Sequence, residues 1–162
     1  MPSTLLKIKM AERQLKIFLL HGDEYVRRIV RANLELLSHH VELSTDSPAV
    51  MQRRCQENPP DVAIIGDKIQ SSSVFDVLNS LSRENLCPIV ALLQHSDFDR
   101  AHRLMEDNVM GVLVEPVNDS DLRTSIYLAR RRFEQARRMK RQIDDLEQQL
   151  VASQHNTMEN GS

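Results

Sequence analysis

The side chains in this chain that could do chemistry are scattered, and no compact catalytic motif joins them. His95 and His102 lie seven residues apart on a predicted helix, about 10.5 Å along its axis, which is too far for them to share one metal ion. The sequence contains neither a phosphate-binding glycine loop nor a GxSxG nucleophile motif. The remaining candidates directly follow short apolar runs, and they are His21, Gly22, Asp23, Gly66, Asp67, Leu93, Glu115 and Pro116.

Short apolar runs alternate with longer amphipathic segments, and this alternation defines the elements that position those candidates. Short apolar runs predict strands, mostly buried on both faces, over residues 16–20, 62–65, 88–93 and 111–114, and residues 41–44 predict a weaker strand. Apolar residues spaced by three and four predict helices over 23–37, 47–56, 72–85 and 96–107, and a last helix from Asp119. Strands and helices therefore alternate along the chain.

This alternation predicts an α/β domain with a parallel sheet, because parallel neighbours need right-handed helical crossovers. Five strand–helix units over residues 15–128 predict a flavodoxin-like (βα)5 doubly wound fold. Ligands in such folds bind where the carboxyl ends of the strands meet. We therefore expect the candidate residues to lie near one another.

The last helix is expected to outgrow this domain. Residues 119–153 contain neither Gly nor Pro, so they predict a rod of roughly 52 Å, whereas the domain's radius of gyration is near 13 Å. A heptad pattern indicates a short coiled coil that holds a homodimer, through Ala136, Met139, Ile143, Leu146 and Leu150. A solvated extension or a linker would show a similar pattern. We assign residues 1–14 to an N-terminal tail, 129–153 to the extended helix and 154–162 to a disordered tail.

The first part of the extended helix is strongly basic, although the net charge of the whole chain is −2. Its arginines could bind nucleic-acid phosphates, through Arg130, Arg131, Arg137, Arg138 and Arg141. They could equally pair with the acidic segment that follows, in a second copy of the chain, or simply be solvated. Since only Phe133 is interleaved to stack on bases, nucleic acid is an alternative partner and not the favoured one.

Composition predicts a cytoplasmic globular protein. Hydrophobic residues make up 41% of the chain and charged residues 27%, as in ordinary globular domains. No apolar run approaches the ~18 residues of a membrane span, and charges interrupt the N-terminal segment, unlike in a signal peptide. Cys55 and Cys87 form no CxxC pair or ligand cluster, which indicates a reducing compartment. We expect no cofactor, no metal and no membrane partner.

Three segments resemble the receiver domain of response regulators, and the likeness runs from Lys16 to about Ala129. PDVAIIG (60–66) resembles the third strand, which in the family ends in the phospho-accepting aspartate. PIVALLQ (88–94) resembles the fourth strand, which normally ends in Thr or Ser. GVLVEPVNDSDL (111–122) resembles the segment that holds the family's Lys-Pro pair.

The resemblance also implies that the phosphorylation chemistry has been lost. The family's metal-binding acidic pair falls on His21 and Gly22, and its phospho-acceptor falls on Gly66. Its switch hydroxyl falls on Leu93 and its phosphate-pairing lysine on Glu115, which would repel the anion. Of the family's motif only Pro116 remains. We therefore predict a pseudo-receiver with a vacated phosphorylation pocket and no catalytic residues.

A shifted site remains an alternative. Asp23 and Asp67 each lie one residue past a missing carboxylate, and with Glu115 they could gather around Mg²⁺ so that Asp67 is phosphorylated. In the other interpretation, Asp23 caps a helix and Asp67 is a solvated loop residue. A neutral His21 could hydrogen-bond Asp67 or Glu115 and could sense pH.

A receiver followed by a long helix rich in Arg, Glu and Leu is similar to the N-terminal part of ANTAR-type transcription antiterminators. Some of their receivers are degenerate and dimerise through that helix, and an RNA-binding domain follows it. The predicted function is a non-enzymatic, phosphorylation-independent regulatory module, an atypical response regulator that homodimerises and binds a protein partner. The alternatives are a nucleic-acid-binding transcription or antitermination regulator that uses the basic helix, and a residual Mg²⁺-dependent phospho-switch at Asp67.

Overall fold

A single parallel sheet organises the chain in the computed structural model, which describes residues 13–66, 74–94 and 109–160. Its five strands are β1 (Lys16–Leu20), β2 (His40–Thr45), β3 (Val62–Gly66), β4 (Ile89–Leu93) and β5 (Gly111–Val114). They lie in the order β2-β1-β3-β4-β5, and every neighbouring pair is parallel. The chain turns from one half of the sheet to the other between β1 and β3, which is where such folds open a crevice for ligands.

Helices cover both faces of this sheet. Those in the described part of the chain are α1 (Glu24–Leu36), α2 (Pro48–Glu57), α3 (Val74–Glu84) and α4 (Asp119–Asn160). The first two begin as the sequence predicts, because the Asp23 and Ser47 side chains accept hydrogen bonds from backbone N–H groups of the first turns. The helix predicted over 96–107 lies outside the described residues, as do His95 and His102.

Two apolar layers hold the helices to the sheet. One face of the sheet packs against α2 and α3, with Met51 and Leu78 fully buried. The other face packs against α1 and α4, with Leu34 and Leu122 fully buried. Strands β3 and β4 are buried along their whole length, which explains why their sequences are continuous apolar runs rather than alternating ones.

Helix α4 leaves the domain as a single long rod. It packs on the sheet through Leu122, Ile126, Ala129 and Phe133, so it remains part of the domain slightly beyond the predicted boundary at residue 128. Every residue from 134 to 159 is exposed, so about 40 Å of helix projects. The helix runs to Asn160, through most of the segment predicted to be a disordered tail, because no glycine interrupts it before Gly161.

None of the helices in the described ranges is long and apolar enough to cross a membrane.

Candidate functional site

The carboxyl ends of β1 and β3 bring two predicted site residues together. The strands pair with Leu20 beside Ile65, so His21 and Gly66, one residue further along each strand, lie next to each other. The third member is Glu115, which directly follows β5 and whose backbone N–H donates to the Leu93 carbonyl at 2.8 Å. The candidate pocket is therefore assembled at the crevice of the sheet, as the topology predicts.

His21 is fully buried and is held on all sides. Its backbone N–H donates to the Thr45 carbonyl at 3.1 Å, and Nη1 of Arg27 donates to its carbonyl at 2.6 Å. In the ring, Nδ1 accepts from the Asp23 N–H at 2.9 Å, and Nε2 lies 3.1 Å from Oε1 of Glu115. A histidine with four such contacts has essentially one available position.

This hydrogen-bond network assigns the protonation state of His21. Because Nδ1 accepts from the Asp23 N–H, it carries no proton, so the neutral ring has its proton on Nε2 and donates it to the Glu115 carboxylate. A second proton on Nδ1 would direct one N–H group against another in a site without bulk solvent. Of the two partners that the sequence offered for His21, Glu115 is confirmed, and Asp67 lies outside the described residues.

The His21 ring occupies the space in which a side chain at position 66 would lie. A Cβ placed on Gly66 would overlap with Cδ2 of the ring, and it would lie 3.0 Å from Cγ and 3.1 Å from Nε2. The φ angle of Gly66 is not positive, so the absence of a side chain, and not backbone freedom, explains the glycine. The His21 imidazole therefore fills the part of the pocket beside Gly66, although the sequence predicts that the pocket is vacated.

The other described residues of the pocket offer little to a phosphate or a metal ion. Leu93 is fully buried and apolar, and the Glu115 side chain is 19% exposed and negative. Asp23 caps α1 by accepting from the Tyr25 N–H at 2.9 Å, as one of the two predicted interpretations has it. No group of three metal-ligand side chains occurs within the described ranges. Asp67 lies outside them, so its role stays a prediction.

The sequence predicted that His21 lies at the pocket, but it did not predict that the His21 ring fills the pocket. Part of the evidence was in the sequence, because a histidine and a glycine stand at the ends of two neighbouring strands, where the resemblance predicts carboxylates. Gly22 is half-buried beside this pair, and Pro116 is exposed. That the ring turns inward over Gly66 depends on the contacts of Asp23 and Glu115, which no local pattern reveals.

The projecting part of α4 carries two chemically different faces. The predicted dimer residues are all exposed on one of them: Ala136, Met139, Ile143, Leu146 and Leu150. The predicted phosphate-contacting residues are Arg130, which is half-buried, and the exposed Arg131, Arg137, Arg138 and Arg141. At 100° per residue, these arginines lie within an arc of roughly 120° whose centre is opposite the apolar stripe.

Comparisons with known proteins identify the fold. No protein-family model matches the chain. The transcriptional regulatory protein PdtaR of Mycobacterium tuberculosis is 29% identical over 91 residues, which are 56% of this chain and 44% of that protein. The chain thus spans less than half the length of the curated relative that it matches.

Solved receiver domains align over most of the chain. The signal receiver domain of a modulated diguanylate cyclase from Desulfovibrio desulfuricans G20 aligns with a TM-score of 0.68 and 19% identity, over 76% of this chain and 99% of that one. A response regulator receiver domain protein from Clostridium thermocellum aligns with a TM-score of 0.64 and 25% identity, over 75% of this chain and 98% of that one. The chain therefore has the receiver fold of response regulators followed by a long helix, and it resembles a transcriptional regulatory protein. The predicted fold class and receiver resemblance are confirmed.

Proposed function

We propose that this chain is a non-enzymatic regulatory module that works without phosphorylation, by forming a homodimer and binding a protein partner. The observation that carries the proposal is the His21 ring, which fills the space above Gly66 and donates to Glu115. A phosphoryl group would need that space, together with a carboxylate nucleophile at its edge. A domain that keeps its core but fills its reaction pocket is suited to being recognised by a partner.

Electrostatics at the pocket support the same proposal. The family's phosphate-pairing cation is replaced by Glu115, whose carboxylate would repel an incoming anion at short range. Arg27, a cation close to the pocket, donates to the His21 carbonyl. Phosphorylation at Asp67 would therefore require a cation or metal ion other than Arg27.

The first experiment measures the intact mass of the protein after incubation with Mg²⁺ and acetyl phosphate. We expect no phosphate adduct on the wild-type chain, while a receiver that retains its aspartate, treated in parallel, shows one. The Asp67→Asn variant is the matched control. An adduct that appears on the wild type and is lost in Asp67→Asn would overturn the proposal and establish a phospho-switch at the shifted position.

The homodimer is proposed from the apolar stripe of α4. Met139, Ile143, Leu146 and Leu150 are each more than half exposed on a helix that nothing in the described domain covers, and burying them would be favourable at about 25 cal/mol per Å². The test is sedimentation of the Ile143→Asp plus Leu146→Asp variant at micromolar concentration, which we expect to be monomeric with its α/β circular dichroism retained.

A matched control for the dimer test carries the same two changes on the opposite side of the helix. Gln148→Asp plus Ala152→Asp adds two carboxylates outside the heptad stripe, and this variant should dimerise like the wild type. A wild-type chain that is already monomeric at these concentrations would contradict the homodimer.

A second candidate function is supported by the arginine face of α4. On α1, Arg28 and Arg31 pair with glutamates four residues away, at 2.8 and 3.0 Å. Within the described part of the chain, no carboxylate lies within ion-pair distance of the five α4 arginines. Tyr127, which is 60% exposed, lies on the same face. Uncompensated arginines beside an exposed aromatic ring are suited to nucleic-acid phosphates and bases.

The test of this second function is binding of RNA and DNA duplexes and single strands over a range of salt concentrations. Changing Arg137 and Arg138 to Glu should weaken binding strongly and lower the log–log salt slope by about 1.8, since each lost phosphate contact lowers that slope by about 0.9. Changing Arg28 and Arg31 to Glu alters the net charge equally but leaves the α4 face intact, and binding should persist. Equal loss in both variants would mean that only net charge matters.

A further inference from the structure

The apolar stripe of α4, which we define as Ala136, Met139, Ile143, Leu146 and Leu150, also carries information about how two helices would meet. These residues occupy the a and d positions of the heptad. Lys140 and Glu147 occupy the flanking e positions, and neither has an ion-pair partner within the described part of its own chain. An open apolar stripe with unpaired opposite charges at its edge fits a second copy of the same helix.

In an antiparallel pair, a positions face d positions of the partner, and e positions face e positions. One alignment sets Ile143 against Leu146 of the partner subunit and Met139 against Leu150 of the partner subunit. Twofold symmetry repeats both contacts, which gives four consecutive apolar layers. In the same alignment Lys140 meets the partner subunit's Glu147, again twice, so the flanking charges are complementary.

Antiparallel alignments that are shifted by one heptad are unfavourable. The shift toward the C-terminal end of α4 sets Glu147 opposite the partner's Glu147 and Ile143 against Ser153 of the partner subunit. The shift toward the receiver domain is no better. It places Lys140 opposite the partner's Lys140, so that like charges meet at the edge of the interface. It also sets Leu150 against Arg132 of the partner subunit, although the Arg132 guanidinium already donates to the Met110 carbonyl at 2.9 Å. This alignment therefore loses both an apolar layer and the charge pairing.

A parallel pair would also leave the charges unmatched. There e positions face g positions of the partner, so Lys140 would meet Gln135 and Glu147 would meet Gln142. Arg132 would face its own copy at a d position, where two like charges would meet inside the apolar seam.

We infer that the proposed homodimer is an antiparallel pair of α4 helices, with Ile143 and Leu146 at its centre and two Lys140–Glu147 ion pairs at its edges. The inference rests on the proposed homodimer. The two receiver domains then lie at opposite ends of the helix pair, and the last turns of each helix run toward the other domain. They approach the cleft of about 450 Å³ between α4 and β5, which Leu128 and Arg132 help to line.

A charge-swap series tests the orientation without changing the apolar layers. In the full chain, Lys140→Glu alone and Glu147→Lys alone each turn two attractive pairs into two repulsive ones, and each should weaken dimerisation about ten-fold in sedimentation equilibrium. The double variant, Lys140→Glu with Glu147→Lys, restores both pairs and should return to within about two-fold of the wild-type Kd. Arg141→Glu, an equal charge change on the outer face, should leave the Kd unchanged.

The outcomes separate this inference from the proposal on which it rests. If the single variants dimerise like the wild type, or if the double variant remains as weak as the singles, the antiparallel orientation is wrong and the homodimer stands. If the wild type is monomeric at about 100 µM, both the orientation and the homodimer are wrong. If each single variant weakens dimerisation and the double variant restores it, the result supports both the antiparallel orientation and the homodimer.

Discussion

The close contact between His21 and Gly66 makes a strong prediction about packing. In the Gly66→Ala variant the new methyl group would overlap with Cδ2 of the imidazole and press on Cγ and Nε2. The ring cannot move aside cheaply, because it is fully buried and Nδ1 and Nε2 are hydrogen-bonded to Asp23 and Glu115. The overlap must therefore be relieved by distorting a packed site.

The expected cost follows from that geometry. Overpacking a buried site costs about 1–3 kcal/mol, and displacing the ring weakens one or two hydrogen bonds of about 1 kcal/mol each. Gly66→Ala should thus lower the free energy of unfolding by about 2–4 kcal/mol. For a domain of this size, that corresponds to a fall in Tm of roughly 5–15 °C.

A double-mutant cycle distinguishes this overlap from a general loss of stability. His21→Ala alone should also destabilise, because it leaves a cavity and removes the acceptor of the Asp23 N–H. In the His21→Ala background, however, the Gly66→Ala methyl group enters the space left by the ring and should cost less than about 0.5 kcal/mol. The coupling energy between the two positions should therefore be about 1.5 kcal/mol or more.

Urea unfolding followed by far-ultraviolet circular dichroism measures all four proteins. The protein concentration is held constant, since a dimer makes apparent stability depend on concentration. Additive effects, within about 0.5 kcal/mol, would refute the reasoning, because they would mean that the ring does not occupy the space above Gly66. A Gly66→Ala variant as stable as the wild type would refute it as well.

Three further predictions concern other contacts. Glu115→Gln keeps an acceptor for the His21 Nε2–H, so it should lower the free energy of unfolding in urea by less than about 1 kcal/mol. Glu115→Lys places a cation beside this donor and should lower the free energy of unfolding by about 1–3 kcal/mol. Equal effects of the two variants would contradict the assignment of the proton to Nε2. Ser125→Ala removes a buried hydroxyl that has no hydrogen-bond partner among the described residues, so it should raise the Tm by roughly 2–4 °C. A lower Tm would show that the hydroxyl is satisfied. The hydrogen bond with Cys55, together with burial, raises the pKa of the Cys87 thiol. Both thiols should react with a disulfide reagent on the order of 100-fold more slowly in the native protein than in urea, and rapid native labelling would contradict their burial.

Most of the fold could be predicted from the sequence because strands and helices have different apolar periods. The runs KIFLL and VAII were sufficient to place β1 and β3, and the spacing from Val26 to Leu37 was sufficient for α1. The first and last residues of the elements were predicted less exactly. Strand β2 is one residue longer at each end than predicted, because it lies at the border of the sheet and is only partly buried, so its pattern is weak. Helix α4 extends past the prediction because helix-forming sequences end only where a breaker or a cap ends them.

The sequence by itself determined which chemical groups stand at the strand ends, among them a glycine at position 66 and a glutamate at position 115. It also determined that α4 has an apolar stripe, since helical periodicity fixes which residues share a face. Only the tertiary structure decided that the His21 ring fills the space above Gly66 and that its proton is directed to Glu115. These contacts join residues that are 45 and 94 positions apart in the chain, and they exist only once the sheet has brought three strand ends together. Local patterns encode the period and chemistry of a segment, whereas the filling of a pocket depends on which distant side chains compete for the same space.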